Sequence, residues 1–237
     1  MEKKHPNDIR TVVRKKYGEV AKSDATGCCT PVSSCCGEPA TPLENLGTLT
    51  GYSQDELRLA PEGSHMGLGC GNPQAIAALK PGETVLDLGS GGGFDCFLAA
   101  KQVGDTGRVI GVDMTPEMVS KARENALKGD YSNVEFRLGE IEHIPAADGS
   151  IDVIISNCVI NLSPNKLEVF KEAFRILKPG GRLAISDVVA TAQLPPEFKD
   201  DLDLLSACVS GAATVMELTE MLQEAGFQDI EIQTKDE

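Results

Sequence analysis

The chain has 237 residues, of which 41% are hydrophobic and 24% are charged, a composition typical of a folded globular protein. Its formal net charge of -14 at pH 7 argues against nucleic acids and anionic membranes as partners, because like charges repel. No segment supplies the long uncharged apolar run of a membrane span, and the charged start lacks the apolar core of a secretory signal. We therefore expect a cytoplasmic monomer with no nucleic-acid or membrane partner.

The N-terminal third differs in composition and sequence pattern from the rest of the chain. Apolar residues on one face predict a helix over residues 1 to about 27, and residues 28 to 72 are rich in Gly, Pro, Ser, Thr and Cys, which favour irregular backbone. We expect residues 1–72 to form an N-terminal helix and a Cys-rich segment that caps the substrate side of a domain formed by residues 73–237.

Strand and helix signals alternate in that second domain. A short helix from Asn72-Pro73 through Leu79 comes first, and later helices run through Ala100, start at Pro116 and span Pro164 to Leu177. The predicted strands are residues 83–88, 108–113, 134–138, 151–156, 182–186 and 229–233. Regular alternation predicts parallel pairing through right-handed crossovers, and so a doubly wound, Rossmann-like α/β sheet. An insertion at about residues 190–215 is expected to lie over the substrate side.

The first of these strands runs into a glycine loop, Asp87-x-Gly89-x-Gly91-x-Gly93, before a helix. Glycines at alternate positions let the backbone turn tightly and approach a nucleotide closely. The dinucleotide pattern requires glycine where Phe94 stands, and the P-loop ending is missing. Asp113, at the end of the second strand, is suited to accept hydrogen bonds from both ribose hydroxyls.

Segments 85–93, 111–114 and 139–145 resemble the class I S-adenosylmethionine-dependent methyltransferases. The resemblance implies S-adenosylmethionine as the cofactor, with Glu140 and Ile141 facing its adenine and Asp87 near its ammonium group. The implied cofactor-binding residues are Asp87, Gly89, Ser90, Gly91, Gly93, Asp113, Met114, Glu140, Ile141 and Asn157. Because that sheet closes with a hairpin of strands six and seven, and this chain stops soon after residue 233, we expect six strands with the seventh missing.

The methyl acceptor must still be found among the residues that carry chemistry. The three histidines, His5, His65 and His143, are poor candidates for a general base, which favours an acceptor whose methylation needs no base. A trivalent arsenic atom carries its own lone pair, and thiolates are natural ligands for such soft centres. The chain has eight cysteines, at 28, 29, 35, 36, 70, 96, 158 and 208, which makes metalloid binding a competitor of core packing.

Three cysteine segments are similar to those of the arsenite methyltransferases. They are Gly-Cys70-Gly-Asn-Pro, Ser-Asn-Cys158-Val-Ile-Asn-Leu and Ala-Cys208-Val-Ser-Gly-Ala. The resemblance implies that these cysteines bind As(III), delivered as arsenite or a thiol conjugate, as a trigonal thiolate site. It also implies a redox role for an N-terminal cysteine, Cys28 or Cys29. Methylated arsenicals and S-adenosylhomocysteine would be the products, and a thiol reductant of the thioredoxin or glutathione type would restore trivalent arsenic.

Other interpretations stay open at this point. Cys96, among apolar residues, is interpreted as core packing, and zinc is the rival ligand for the cysteine pairs 28–29 and 35–36. The glycine loop alone also fits a methyltransferase of a small organic molecule. A non-catalytic metalloid-binding protein is the third alternative, which measurable binding of S-adenosylmethionine would exclude.

Overall fold

The computed structural model describes residues 6–22, 43–193, 195, 204–205 and 208–234. His5 and the cysteines at 28, 29, 35 and 36 lie outside the described residues, as does much of the predicted insertion. None of the described helices combines the length and the apolar character that crossing a bilayer requires.

A parallel sheet of five strands forms the centre of the described structure. The strands are β1 (Thr84–Leu88), β2 (Arg108–Asp113), β3 (Val134–Leu138), β4 (Ile151–Asn157) and β5 (Leu177–Ser186), in the order β3-β2-β1-β4-β5. The strand order reverses at β1, which pairs with β2 on one side and β4 on the other. The predicted doubly wound α/β fold is confirmed, and its ligand edge lies at the carboxyl ends of β1, β2 and β4.

Helices cover both faces of this sheet. They are α1 (Pro6–Lys22), α2 (Leu43–Leu49), α3 (Gln54–Leu59), α4 (Gln74–Ala77), α5 (Phe94–Val103), α6 (Pro116–Lys128), α7 (Lys166–Ile176) and α8 (Val215–Ala225), with a 3-10 turn at Ile160–Leu162. Successive strand residues point to opposite faces. Val85 packs in a cluster with residues of α5 and α6, whereas its neighbour Leu86 packs with residues of α7 and α8.

Local signals explain where several helices begin. Capping boxes start α3 and α8, since Ser53 and Thr214 each exchange hydrogen bonds with a glutamate three residues later. Asn165 caps α7 through the backbone N–H of Glu168. Pro116 occupies the first turn of α6, where its missing N–H costs nothing.

Two strand predictions need correction. The strand predicted over residues 182–186 begins earlier, at Leu177, because Leu177 already pairs with Ile151 and the register shifts before Val153 pairs with Arg182. Residues 229–233, expected as a sixth strand, pair with no strand in the described structure. A strand needs a neighbour to take its backbone hydrogen bonds, and β5 remains the edge of the sheet as described.

The N-terminal helix α1 lies against the ligand edge of the sheet. Val13, which is 1% exposed, packs in a cluster with Cys158, Leu162 and Cys208. At its other end Lys22 forms an ion pair of 2.8 Å with Glu117 on α6. Burial of this apolar face, rather than the exposed ion pair, holds α1 in place.

Replacing Val13 with alanine tests this packing. Because Val13 is fully buried, we expect Val13→Ala to lower the free energy of unfolding by about 2 kcal/mol, measured by urea denaturation. Val12→Ala is the control, since Val12 is only half-buried on the same helix and its loss should cost less. Equal losses for the two variants would contradict the described orientation of α1.

Candidate active site

The glycine loop after β1 opens on a cavity. Gly89 and Gly91 have φ values of +69° and +50°, in the left-handed region that side chains other than glycine rarely adopt. A Cβ atom on Gly89 would lie 2.4 Å from Cγ2 of Val159, whereas one on Gly91 would meet nothing within 4 Å. The loop backbone at Gly91 is therefore free for close approach by a ligand.

The cavity holds most of the predicted cofactor residues. It is lined by Asp87, Gly89, Ser90, Gly91, Asp113, Met114, Ile141 and Asn157. Two predicted residues lie elsewhere, for different reasons. Gly93 is the N-cap residue of α5 and packs behind the loop, where an added Cβ would lie 2.7 Å from the ring of Phe136. The carboxylate of Glu140 pairs with Arg14 on α1 at 3.1 Å and does not line the cavity.

Four carboxylates line this cavity, those of Asp87, Asp95, Asp113 and Glu142, and the first three lie beside the glycine loop. Asp113 fixes the loop by accepting hydrogen bonds from the N–H of Gly91 at 3.0 Å and of Thr115 at 2.8 Å. Burial raises the pKa of Asp87, Asp95 and Asp113, and repulsion from Asp95 raises that of Asp87 further. No ion pair between described residues involves Asp87 or Asp95. A cavity with this charge favours a cationic ligand.

A hydrogen-bond network around Asn157 joins this acidic cavity to Cys70. The Asn157 amide donates to the Gly71 carbonyl at 2.8 Å and to the Tyr52 hydroxyl oxygen at 3.0 Å, and its oxygen accepts from the Cys70 N–H at 3.1 Å. Tyr52 in turn donates to Asp95 at 2.7 Å. Burial raises the pKa of Tyr52 and keeps it protonated for that role.

Sequence reasoning missed Tyr52 and Asp95 as site residues. Asp95 follows the glycine loop in the first turn of α5, and an acidic residue at that position could have indicated a role in the site. Tyr52 lies in the segment whose composition indicated only irregular backbone, and no motif marks it. Glu142 was missed as well; its buried carboxylate lines the cavity and accepts hydrogen bonds from Arg10 at 3.0 Å and Ser163 at 2.7 Å.

The structure brings together the three cysteines that were predicted to act jointly. Cys70 and Cys158 are joined by a disulfide, with their Cα atoms 5.7 Å apart. The Cys208 thiol donates a hydrogen bond to the Cys158 carbonyl oxygen at 3.0 Å. Three segments that are remote in sequence thus converge on one point, beside the cavity that Cys158 itself lines.

Two of these cysteines have an uncommon backbone conformation. Cys158 and Cys208 have φ values of +58° and +62°, which cost free energy in residues other than glycine. Each is held by a backbone hydrogen bond of 2.8 Å, from Cys158 to the Ser186 carbonyl and from Cys208 to the Leu205 carbonyl. Strain of this kind accumulates at functional sites, where the surroundings fix the conformation.

A carboxylate that the sequence did not indicate lies next to the cysteines. An oxygen of Asp187 and the sulfur atoms of Cys70 and Cys158 all lie within 4.8 Å of one another. Asp187 accepts hydrogen bonds from the Ile160 N–H at 3.1 Å and the Asn161 amide at 2.8 Å. Burial raises its pKa to about 6. Its place directly after β5 was a usable signal, because ligands bind at such strand ends.

Other candidate groups have structural surroundings. Cys96 is fully buried and donates to Asp87 at 3.2 Å, and burial raises the pKa of its thiol, which fits the packing interpretation. His65 lines the cavity, but its ring packs on that of Phe94 at 4.7 Å and burial lowers its pKa. His143 is exposed.

The sequence of the chain matches a known protein family. The family described as "Methyltransferase domain" matches residues 79–226, which include the glycine loop, Asp113, Asn157 and all five strands. The chain belongs to this methyltransferase family. The match covers more than half of the sequence, and it begins close to the predicted boundary between residues 72 and 73, which itself stays a prediction.

Several relatives of this methyltransferase extend the comparison. An arsenite methyltransferase of Halobacterium salinarum is 54% identical over 241 residues, covering 98% of this chain and 60% of the relative. A crystal structure of an arsenic(III) S-adenosylmethionine methyltransferase from Chlamydomonas reinhardtii superposes with a TM-score of 0.63 at 38% identity, covering 81% of this chain and 64% of that one.

A more distant structure shares the fold with a different acceptor. It is a Haemonchus contortus phosphoethanolamine N-methyltransferase, in complex with phosphomonomethylethanolamine and S-adenosylhomocysteine. It has a TM-score of 0.59 and 26% identity, covering 69% of this chain and 38% of its own. This chain spans about 60% of the length of the curated arsenite methyltransferases that it matches.

The disulfide predicts a labelling pattern for the cysteines. Cys70 is exposed, so we expect an alkylating reagent to modify it only after reduction, as measured by peptide mass spectrometry. Cys96, which is 0% exposed, should remain unmodified in the native protein in both states and serves as the internal control. Equal labelling of Cys70 before and after reduction of an oxidised sample would contradict the pairing.

Proposed function

We propose that this methyltransferase transfers the methyl group of S-adenosylmethionine to trivalent arsenic bound by Cys70, Cys158 and Cys208. The observation that carries the proposal is the convergence of these three cysteines beside the acidic cavity. The names of two relatives, which are 54% and 38% identical to this chain, support arsenic as the acceptor. Three soft sulfur donors around one point suit a thiophilic centre and do not resemble a site for an organic amine.

The cavity has the features that S-adenosylmethionine requires. This cofactor supplies an electrophilic methyl group on a positively charged sulfur. The buried hydroxyl of Ser90 has no hydrogen-bond partner among the described residues, and Gly91 leaves open space beside it. Asp87 and Asp95 offer negative charge to a cation, Asp113 offers acceptors to ribose hydroxyls, and Ile141 offers an apolar contact to adenine.

Arsenic binding requires the reduced form of the cysteine cluster. Thiolates, not a disulfide, are ligands, so the bond between Cys70 and Cys158 must be reduced before As(III) can bind to all three sulfurs. We propose that a thiol reductant of the thioredoxin or glutathione type performs this reduction and returns methylated arsenic to the trivalent state. A redox role for Cys28 or Cys29 belongs to the same proposal, together with a cytoplasmic, monomeric enzyme that receives arsenite or a thiol conjugate of As(III).

The chain's own residues have defined tasks in this reaction. The thiolates hold and orient arsenic, and positioning alone accounts for several orders of magnitude in rate. Asn157 ties the backbone at Cys70 to the cavity in which the cofactor binds. No proton has to be removed from arsenic, since its lone pair is the nucleophile, which agrees with the surroundings of His65 and His143.

Cofactor affinity should depend on pH through the buried carboxylates. Burial raises the pKa of Asp87 and Asp95, so these groups become protonated as the pH falls and lose their attraction for a cation. We therefore expect the affinity for S-adenosylmethionine, measured by isothermal titration calorimetry, to decrease at acidic pH. Binding of S-adenosylhomocysteine, which lacks the sulfonium charge, is the control and should change less. The same pH dependence for both ligands would contradict the charge argument.

The proposed function is tested by incubating the full chain with arsenite, S-adenosylmethionine and a thiol, followed by arsenic speciation. We expect methylated arsenicals from the wild type and a loss of about 100-fold or more in Cys158→Ser and Cys208→Ser, with cofactor binding retained. Absence of methylated arsenic despite cofactor binding would overturn arsenic as the acceptor and favour a small organic substrate. Absence of cofactor binding as well would indicate a non-catalytic metalloid-binding protein.

A further inference from the structure

Asp187 has a fixed position beside the cysteine cluster. Its carboxylate oxygen belongs to the group of atoms, with the sulfurs of Cys70 and Cys158, that lie within 4.8 Å of one another. The carboxylate cannot turn away freely, because it accepts hydrogen bonds from the backbone at Ile160 and from the amide of Asn161. A charge that is already oriented acts on a reacting centre without a cost for reorganisation.

Methyl transfer changes the charge of the arsenic centre. Arsenic(III) with three thiolate ligands is neutral and carries a lone pair. When that lone pair forms the As–C bond, the electron pair of the C–S bond remains on the departing sulfur. The positive charge of the sulfonium thereby passes to arsenic, which becomes formally pentavalent with its three sulfur ligands still in place.

We propose that Asp187 stabilises the arsenic centre electrostatically as it becomes cationic during methyl transfer. This inference rests on the proposed function. A neutral substrate gains little from a nearby negative charge, whereas the cationic centre gains more, so the interaction favours the transition state over the bound substrate. Partial burial of Asp187 reduces screening by water and strengthens the attraction.

Distance, as well as sign, distinguishes Asp187 from the other charged groups, because its carboxylate oxygen lies within 4.8 Å of the sulfurs of Cys70 and Cys158. The half-buried Lys166 interacts electrostatically with Asp187, Cys208, Glu142 and Glu217, and its positive charge would oppose a cationic arsenic centre. Its amine donates to the Ser163 carbonyl at 3.4 Å. The negative charge of Asp187 counteracts the repulsion between Lys166 and the cationic arsenic centre. Loss of that charge should therefore slow the chemical step measurably.

The test compares Asp187→Asn with two control variants in the reduced full chain. Asp152→Asn removes the same charge at a position on β4 that lies six residues before Cys158, and so about 20 Å away. There the carboxylate accepts hydrogen bonds from the Thr84 N–H and the Lys178 amine. Asn161→Ala removes a hydrogen-bond donor to Asp187 but keeps its charge. The readouts are the single-turnover rate of methyl transfer, As(III) affinity and cofactor affinity.

We expect Asp187→Asn to slow the single-turnover step about tenfold or more, while As(III) and cofactor affinities change less than threefold. Asp152→Asn should leave the rate within twofold, and Asn161→Ala should slow it much less than Asp187→Asn. An unchanged rate in Asp187→Asn would overturn the inference. So would an equal decrease in Asn161→Ala, because capping of the turn rather than charge would then be responsible.

A charge-conserving variant separates charge from structure. Asp187→Glu keeps the carboxylate but shifts it away from its hydrogen bonds with Ile160 and Asn161, so it should retain a faster single-turnover rate than Asp187→Asn. Equal losses of rate in Asp187→Glu and Asp187→Asn would contradict the inference. If the wild type itself does not methylate arsenic, the proposed function fails, whatever the As(III) and cofactor affinities are.

Discussion

The amide of Asn157 is the interaction on which the arrangement of the site depends. It stands at the last position of β4, directly before Cys158, and bonds with Tyr52, the Gly71 carbonyl, Asp95 and the Cys70 N–H. One planar group with fixed donors and acceptors thus connects the core sheet, the segment before α4 and the acidic cavity. Removing it would leave buried polar groups without partners, which costs more than the loss of a single hydrogen bond.

The fold supplies this arrangement by bringing strand ends to one edge. β1 ends in the glycine loop, β2 ends at Asp113, β4 leads to Cys158 and β5 leads to Asp187. Because all these strands are parallel, four functional segments meet at the same edge while their starts lie at the other. Residues before β1 complete the site, since α1 packs Val13 on the cluster and the segments between α2 and α4 contribute Tyr52 and Cys70.

Periodicity and glycine spacing predicted the part of the structure that local chemistry determines. The five paired strands and Pro116 at the start of α6 follow from alternation and from the fixed φ of proline. Residues 229–233 alternate polar and apolar side chains, as a strand does, but they have no neighbouring strand in the described structure. Their sequence pattern alone was therefore insufficient to predict a strand. Pairing is a property of two segments, and a sequence pattern reports only one of them.

The same limit applies to the site residues. Gly89, Gly91 and Asp113 were predictable because the backbone conformation and the strand end restrict the residue type. Glu140 was assigned to the cavity by resemblance, yet its charge pairs with Arg14, a contact between residues 126 positions apart. Tyr52 depends on a similar long-range contact, which only the folded chain reveals, whereas Asp187 could have been found from its position directly after β5.

We propose that Cys70, Cys158 and Cys208 form one arsenic site beside the cofactor cavity. X-ray absorption at the arsenic edge tests it directly, using the reduced chain with one equivalent of As(III) and serine at positions 28, 29, 35 and 36. The structure predicts three sulfur neighbours, and two sulfurs with one oxygen when Cys208 is also replaced by serine. Fewer than three sulfurs in the first protein, or no change in the second, would contradict it.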